Sequence, residues 1–314
     1  MSGDTEPPPT RATPTEPALT QRSHAPYAQE VAVLATQHGK LPLIGPPLWS
    51  TVRLTTRSVA VDTDLLGTFS GEVPRPSGPL QTAICKARLG MEATGVPLGL
   101  ASEGTISDPC GLGVLPMDTE LVVLVDDHRN ITVCGWATAV VVATTATMAP
   151  GAPIDELLGR AQVPPHHLVV SPAGVEATGP TGLTENPWQS GTTKAVGDGP
   201  SLLAAIDRAA ATSPDGRARV TTDLRAHLCP SRQPVIAAAA RDLAQRLGTP
   251  CPECASPGWG IESVVVGLEC AWCTWPTDEV AAHRWACPSC DATELRAATV
   301  STKGDPGRCA RCNP

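Results

Sequence analysis

Four Cys-x-x-Cys pairs lie between positions 251 and 312: Cys251/Cys254, Cys270/Cys273, Cys287/Cys290 and Cys309/Cys312. A pair at this spacing turns tightly enough to offer both sulfurs to one ion. Two pairs complete a tetrahedral tetrathiolate shell, with no open position for a substrate water. The chemistry implied is structural, namely two bound zinc ions. Iron–sulfur ligation is the competing use of four thiolates. A redox or incidental role, the ordinary reading of a single pair, does not account for four in series. Gaps of 15, 13 and 18 residues separate the pairs and leave room for hairpins. Consecutive pairs on one ion, giving two successive ribbons, are the expected arrangement; a cross-braced module joining alternate pairs is the other. His283 is left spare, because eight thiolates fill two shells. Roughly sixty residues with few apolar side chains make a thin core. Metal binding then supplies much of the folding free energy, on the order of 10 kcal/mol or more per site.

Three polar sets in the N-terminal part imply a different chemistry. Each follows an apolar segment: Thr36-Gln37-His38-Gly39-Lys40, the stretch from Asp62 to Arg75, and Ala101-Ser102-Glu103-Gly104, with Lys86 and Arg88 shortly before the last. Loops at the carboxyl ends of strands are where open α/β sheets bind ligands. Meeting at one edge, these sets supply Lys40, Lys86 and Arg88 to neutralise polyphosphate oxygens. Glu72 and Glu103, with Asp64, supply oxygen ligands for Mg²⁺. The bland alternative is a set of solvated loop charges. A fourth cluster, Thr222 to His227 with Arg232 close behind, reads as a structural Asp223–Arg225 ion pair capping the next helix, or as a site with His227 as base or ligand. His166-His167 reads as loop, and Cys85, Cys110, Cys134 and Cys229 as buried thiols.

The elements that must position these groups follow from periodicity. Short strands are expected over 31–36, 52–61, 98–100, 121–125 and 168–170, and a hairpin partner over 131–142. The segment 101–104 is expected to be a charged loop. Helices are expected over 79–94, 154–158, 202–211 and 233–247, the last with Ile236, Ala240, Leu243 and Leu247 on one face. Strands alternating with helices imply an α/β domain with a mixed sheet over 29–248. It is flanked by a tail at 1–28, expected to be disordered, and a small double zinc-ribbon-like domain at 249–314.

Composition narrows the function. Apolar residues make up 41% and charged residues 17%, a globular balance. Phe and Tyr occur once each, so Val, Leu, Ile and Ala must fill the core. The formal charge of −8 falls to about −12 once two tetrathiolate sites are counted. That balance disfavours a nucleic-acid backbone as partner. No export-type apolar segment opens the chain. The most apolar run, Ile131 to Met148, is too broken by Thr, Cys and Gly to span a membrane. Cysteines paired at metal spacing suit the cytoplasm, the expected location, better than a disulfide scaffold.

Several stretches together resemble an uncharacterised bacterial family carrying a domain of unknown function: Ala35 to Lys40, Asp62 to Asp64 with Gly67 to Glu72, Ala101 to Gly104, Thr222 to His227, Pro257 to Gly260, and Cys309 to Pro314. That resemblance covers nearly everything after the tail and implies no established activity. A second one is narrower. The order strand, Thr-x-x-x-Lys, Lys86-Ala87-Arg88, Gly95 and Leu98 to Gly104 is similar to the inosine triphosphate pyrophosphatases. It implies phosphate contacts at Thr36 and Lys40, Mg²⁺ at Glu72 or Glu103, and a helix bearing Lys86 and Arg88 beside the cleft. His38 stands where that family has Asn, and Ala-Ser-Glu-Gly replaces its Asp-Asp-Ser-Gly. Two functions follow as expectations. One is a Mg²⁺-dependent nucleotide or phosphoester hydrolase with Lys40, Lys86, Glu72 and Glu103 reactive and Thr36, His38, Asp64 and Arg88 binding. The other is a non-enzymatic scaffold whose zinc ribbons contact protein or nucleic acid.

Overall fold

The computed structural model describes residues 25–36, 39–62, 77–108, 115–174, 191–298 and 301–314. His38, Asp64, Glu72 and Cys110 lie outside the described residues. The chain runs β1 (Val31–Ala35), α1 (Leu41–Val52), β2 (Thr55–Val59), α2 (Pro79–Thr94), β3 (Leu98–Ser107), β4 (Met117–Asp126) and β5 (Ile131–Val140). Then come β6 (Thr145–Met148), α3 (Asp155–Ala161), β7 (Leu168–Pro172), β8 (Thr193–Val196), α4 (Gly199–Thr212) and β9 (Ala218–Thr222). The chain closes with α5 (Gln233–Leu247), β10 (Gly260–Val266), β11 (Val280–Ala286) and β12 (Thr293–Ala297).

The first sheet has the order β2-β1-β3-β4-β5. Strands β2, β1 and β3 are parallel; β4 and β5 return antiparallel, so the sheet is mixed. Side chains alternate between its two faces. Ala32, Leu34, Leu100, Val122, Leu124 and Val133 bury against α1 and α5. Val33, Ala101, Leu121, Val123 and Val125 bury against Ala83, Ala87 and Met91 of α2. Burial on both faces is why these strands read as continuous apolar runs.

Two segments depart from the sequence expectation. The expected strand at 52–61 is only β2, and the residues before it form α1. Pro42 sits in the first turn, where no amide hydrogen is needed. Pro46 and Pro47 lie inside the helix, where each lacks the N–H that an interior turn uses. The expected loop at 101–104 is mid-strand. β3 pairs with β4 along its whole length, from Leu98↔Asp126 to Ser107↔Met117, so Glu103 is a strand residue.

A second, antiparallel sheet, β6-β9-β7-β8, has its own core with α3 and α4, including Leu157, Leu168, Val170, Leu202, Ile206 and Val220. His166 ties it to the turn before α5: its Nε2 accepts the Ser231 backbone N–H at 3.2 Å. The chain then enters α5, which spans the residues expected of it.

α5 lies directly on β5. A Cβ at Gly135 would stand 2.2 Å from the Leu243 nitrogen and 2.4 Å from the Ala239 oxygen. The neighbouring Trp136 N–H donates to Asp242 Oδ2 at 2.9 Å. No helix among the described residues is long and apolar enough to cross a membrane. Gly135→Ala should push α5 off the sheet and cost at least about 2 kcal/mol, read as a lower midpoint in urea.

Candidate functional site

The eight paired cysteines form two clusters. Cys251, Cys254, Cys287 and Cys290 make one; Cys270, Cys273, Cys309 and Cys312 make the other, with the four sulfurs of each within 4.8 Å of one another. Sulfur separations are 3.8 Å for Cys251–Cys290, 3.6 Å for Cys254–Cys287, 3.9 Å for Cys270–Cys312 and 3.6 Å for Cys273–Cys309. A zinc ion with bonds near 2.3 Å sets the tetrahedron edge at about 3.8 Å, so the sulfurs fit a single ion. A sulfide-bridged iron cluster holds its thiolates further apart. Mononuclear tetrathiolate ligation, of which zinc is the usual case, fits both clusters.

Pairing is therefore alternate, not consecutive as expected from order along the chain. The reason is the up-down-up path of the three-stranded sheet β10-β11-β12. β10 is seven residues long, about 20 Å of extended chain. It carries the backbone from the first cysteine pair to the second, at opposite ends of the sheet. β11 returns antiparallel, with Gly260 facing Ala286, and delivers the third pair beside the first. β12 goes back, and a Cys270–Gly304 bridge brings the last pair beside the second.

The first two pairs also sit on the same turn. The Cys251 N–H donates to Ser256 O at 2.8 Å and the Cys270 N–H to Trp275 O at 2.9 Å. Ala255 and Thr274, each just after its second cysteine, both have φ +60°. Bridges Pro250↔Pro257 and Glu269↔Pro276 close both hairpins. This internal repeat is visible in sequence as Cys-x-x-Cys-x-x-Pro, twice. Backbone N–H groups of Glu253, Trp272 and Ser289 point at ligand sulfurs at 3.3–3.4 Å and favour thiolate. Hydrogen bonds from Ser256 pull the Cys254 thiol down to about 6.

The cores beneath are as thin as expected. Near the first cluster, Cys251, Trp259 and Ala292 are buried, with Trp285 packed on them. Arg246 of α5 anchors the module to the N-terminal sheet, donating to Cys134 O at 2.5 Å and Gly258 O at 3.5 Å.

A separate group of charges gathers on the first sheet where β1 ends. Lys40, at the start of α1, donates to Ser102 Oγ at 2.9 Å. Lys86 of α2 forms an ion pair with Glu103. Next along β4, Asp118 and Glu120 share the α1/α5 face. Arg232 bridges them, from Nε to Asp118 Oδ2 at 3.2 Å and from Nη2 to Glu120 Oε1, while Nη1 meets Leu224 O. Arg232 is 1% exposed and both carboxylates 0%. Gly104 makes the room: a Cβ there would stand 2.2 Å from Arg232 Nη2.

Burial holds the Lys40 ammonium below the ordinary lysine value; Arg232 and Lys86 push the same way, while Glu120 and Glu103 oppose. Burial likewise pushes Asp118 up to about 6, against the pull of Arg232. Asp118 Oδ1 and Glu120 Oε2 have no hydrogen-bond partner among the described residues.

Of the residues singled out in sequence, Lys86 and Glu103 pair on the α2 face of the sheet, and Lys40 lies on the other face, near enough to feel both charges. Thr36 sits at the end of β1, its N–H on Val59 O. Arg88 is elsewhere, paired with Asp127 at 2.5 Å on an exposed stretch. Asp223 and Arg225 form a two-pronged ion pair at 2.6 and 2.9 Å, and Asp223 also accepts from the Ala195 N–H. Sequence reasoning missed Asp118 and Glu120; it named Ser102 without a role and set Arg232 beside the 222–227 cluster, which Arg232 touches only at Leu224 O while its charge is met by the two β4 acids. The signal for the acids was two carboxylates two residues apart, leading into the apolar run Leu121 to Val125. The carboxylates present are each tied to a cation, and among the described residues only the cysteine clusters converge as a ligand shell. That set does not fit a resident Mg²⁺.

Residues 209–314 match DUF6671, a domain of unknown function. The DUF6671 region is about a third of the chain and takes in β9, Arg232, α5 and both metal clusters. No curated protein matches the sequence. The crystal structure of protein VC0702 from Vibrio cholerae is similar over 68% of this chain and 92% of its own, at 11% identity, with a TM-score of 0.30; so low a score carries no argument.

Alternate pairing has a direct test. Cys254→Ser with Cys287→Ser should leave one zinc per chain by elemental analysis, and Cys254→Ser with Cys273→Ser none. Consecutive pairing gives the reverse.

Proposed function

We propose that the N-terminal domain binds and hydrolyses a phosphorylated small molecule, with nucleotides as the leading class, while the zinc centres of the DUF6671 region are structural. The observation that carries this reading is the pair of lysines at the carboxyl end of β1: Lys40 reaches Ser102 on the α1/α5 face and Lys86 reaches Glu103 on the α2 face, with Lys86 and Glu103 near enough for their charges to act on Lys40. Open α/β sheets take their ligands at that edge. The Lys40 ammonium, already desolvated, interacts more strongly with phosphate oxygens than the same group in water. Any divalent cation enters with the polyphosphate.

Zinc-loaded protein is incubated with a panel of nucleoside tri- and diphosphates in Mg²⁺, and phosphate and pyrophosphate release are followed. Lys40→Ala should lower kcat/KM about a hundredfold without a change in melting temperature. A panel without turnover removes the hydrolase reading.

A further inference from the structure

The second metal cluster displays two indoles. Trp272 is 79% exposed and Trp275 52% exposed, in a chain with one Phe and one Tyr. Neither is there by looseness. The turn that carries them is pinned by Cys270 N–H to Trp275 O, Thr274 N–H to Cys270 O at 3.0 Å, and Ala271 N–H to Gly304 O at 3.0 Å. Bound metal would fix it further, so large apolar surface is presented with little ordering left to do on binding. Trp and Arg at such positions are the residue types that dominate protein interfaces.

The intramolecular contacts show what these rings accept. The Arg311 guanidinium lies over the Trp275 ring, 5.9 Å from its centroid. In the same domain Arg296 lies over Trp285 at 3.9 Å. Trp272 has no such contact among the described residues.

Charge narrows the partner. Segments 266–279 and 301–314 carry four acidic and three basic side chains. Two of the bases are engaged, Lys303 with Glu269 at 2.7 Å and Arg308 with Asp278 at 2.8 Å. Four thiolates around a dication add a further two negative charges, for a local total of about −3. A polyanion is repelled, as is a second copy of a chain with net charge −8.

We propose that the second metal knuckle is a docking site for a basic protein segment, with Trp272 receiving an arginine or lysine side chain on its indole face. The inference is independent of the hydrolase reading, since it uses neither Lys40 nor the first sheet.

The test is fluorescence anisotropy on zinc-loaded full chain. Its probe is a labelled peptide of about fifteen residues, rich in Arg, Lys and Gly, beside a matched peptide with Gln in place of every base and a labelled oligothymidine. The basic peptide should bind, and Trp272→Ala should weaken it about tenfold, with zinc content and melting temperature unchanged. Trp272→Phe, which keeps a weaker aromatic face, should fall between. Equal binding by wild type and Trp272→Ala reduces the effect to bulk charge and overturns the proposal. So do absence of peptide binding, tighter binding of the oligothymidine or the Gln peptide, and concentration-dependent self-association abolished by Trp272→Ala.

Discussion

Arg232 holds together parts of the chain that sequence separates. Its guanidinium bridges two carboxylates of β4, while its backbone belongs to the turn that leads into α5. Burying a guanidinium is expensive unless every donor is met and the charge is matched. Here two acids and the Leu224 carbonyl meet it, and Gly104 leaves the space. The turn is also gripped from the second sheet, through His166 on Ser231. The first sheet, the second sheet and the DUF6671 region thus share one fixed point, on the sheet face where Lys40 meets Ser102. Neither the charge cluster nor the entry into α5 is complete within the N-terminal strands alone.

The sequence was most readable where one local rule decided the outcome. α2 and α5 follow the helical period and end where expected, and the four cysteine pairs announced their clusters. α1 was not read from the sequence: Pro46 and Pro47 lie inside it and each lacks the N–H that an interior turn uses, a local cost that packing offsets. Here Ile44, Leu48 and Val52 are fully buried against α5 and the sheet. Glu103 was misread as a loop residue because a buried carboxylate in a strand makes sense only with its partner, Lys86, in view. Arg232 was noted beside the 222–227 cluster, but its role was hidden for the same reason: its carboxylate partners lie more than a hundred residues earlier.

Cysteine pairing is the same lesson in another form. Spacing within a pair is a local matter and reads directly. Which pairs share an ion depends on strand direction, which the sequence does not display. Once β10, β11 and β12 alternate in direction, consecutive pairs are held apart by the length of a strand, and only alternate ones can meet.

Interleaved ligation also constrains the order in which the module can mature. With consecutive pairs, an ion could be captured at the ribosome while half of the module was still unmade. With alternate pairs, the shell that begins at Cys251 stays open until Cys290 has emerged, and the one that begins at Cys270 until Cys312 has. The first shell can close while the last pair is still unmade, but the second waits for the whole module. The two shells are threaded through one another, and the sulfurs of Cys270 and Cys273 must stay reduced until the last pair has been synthesised.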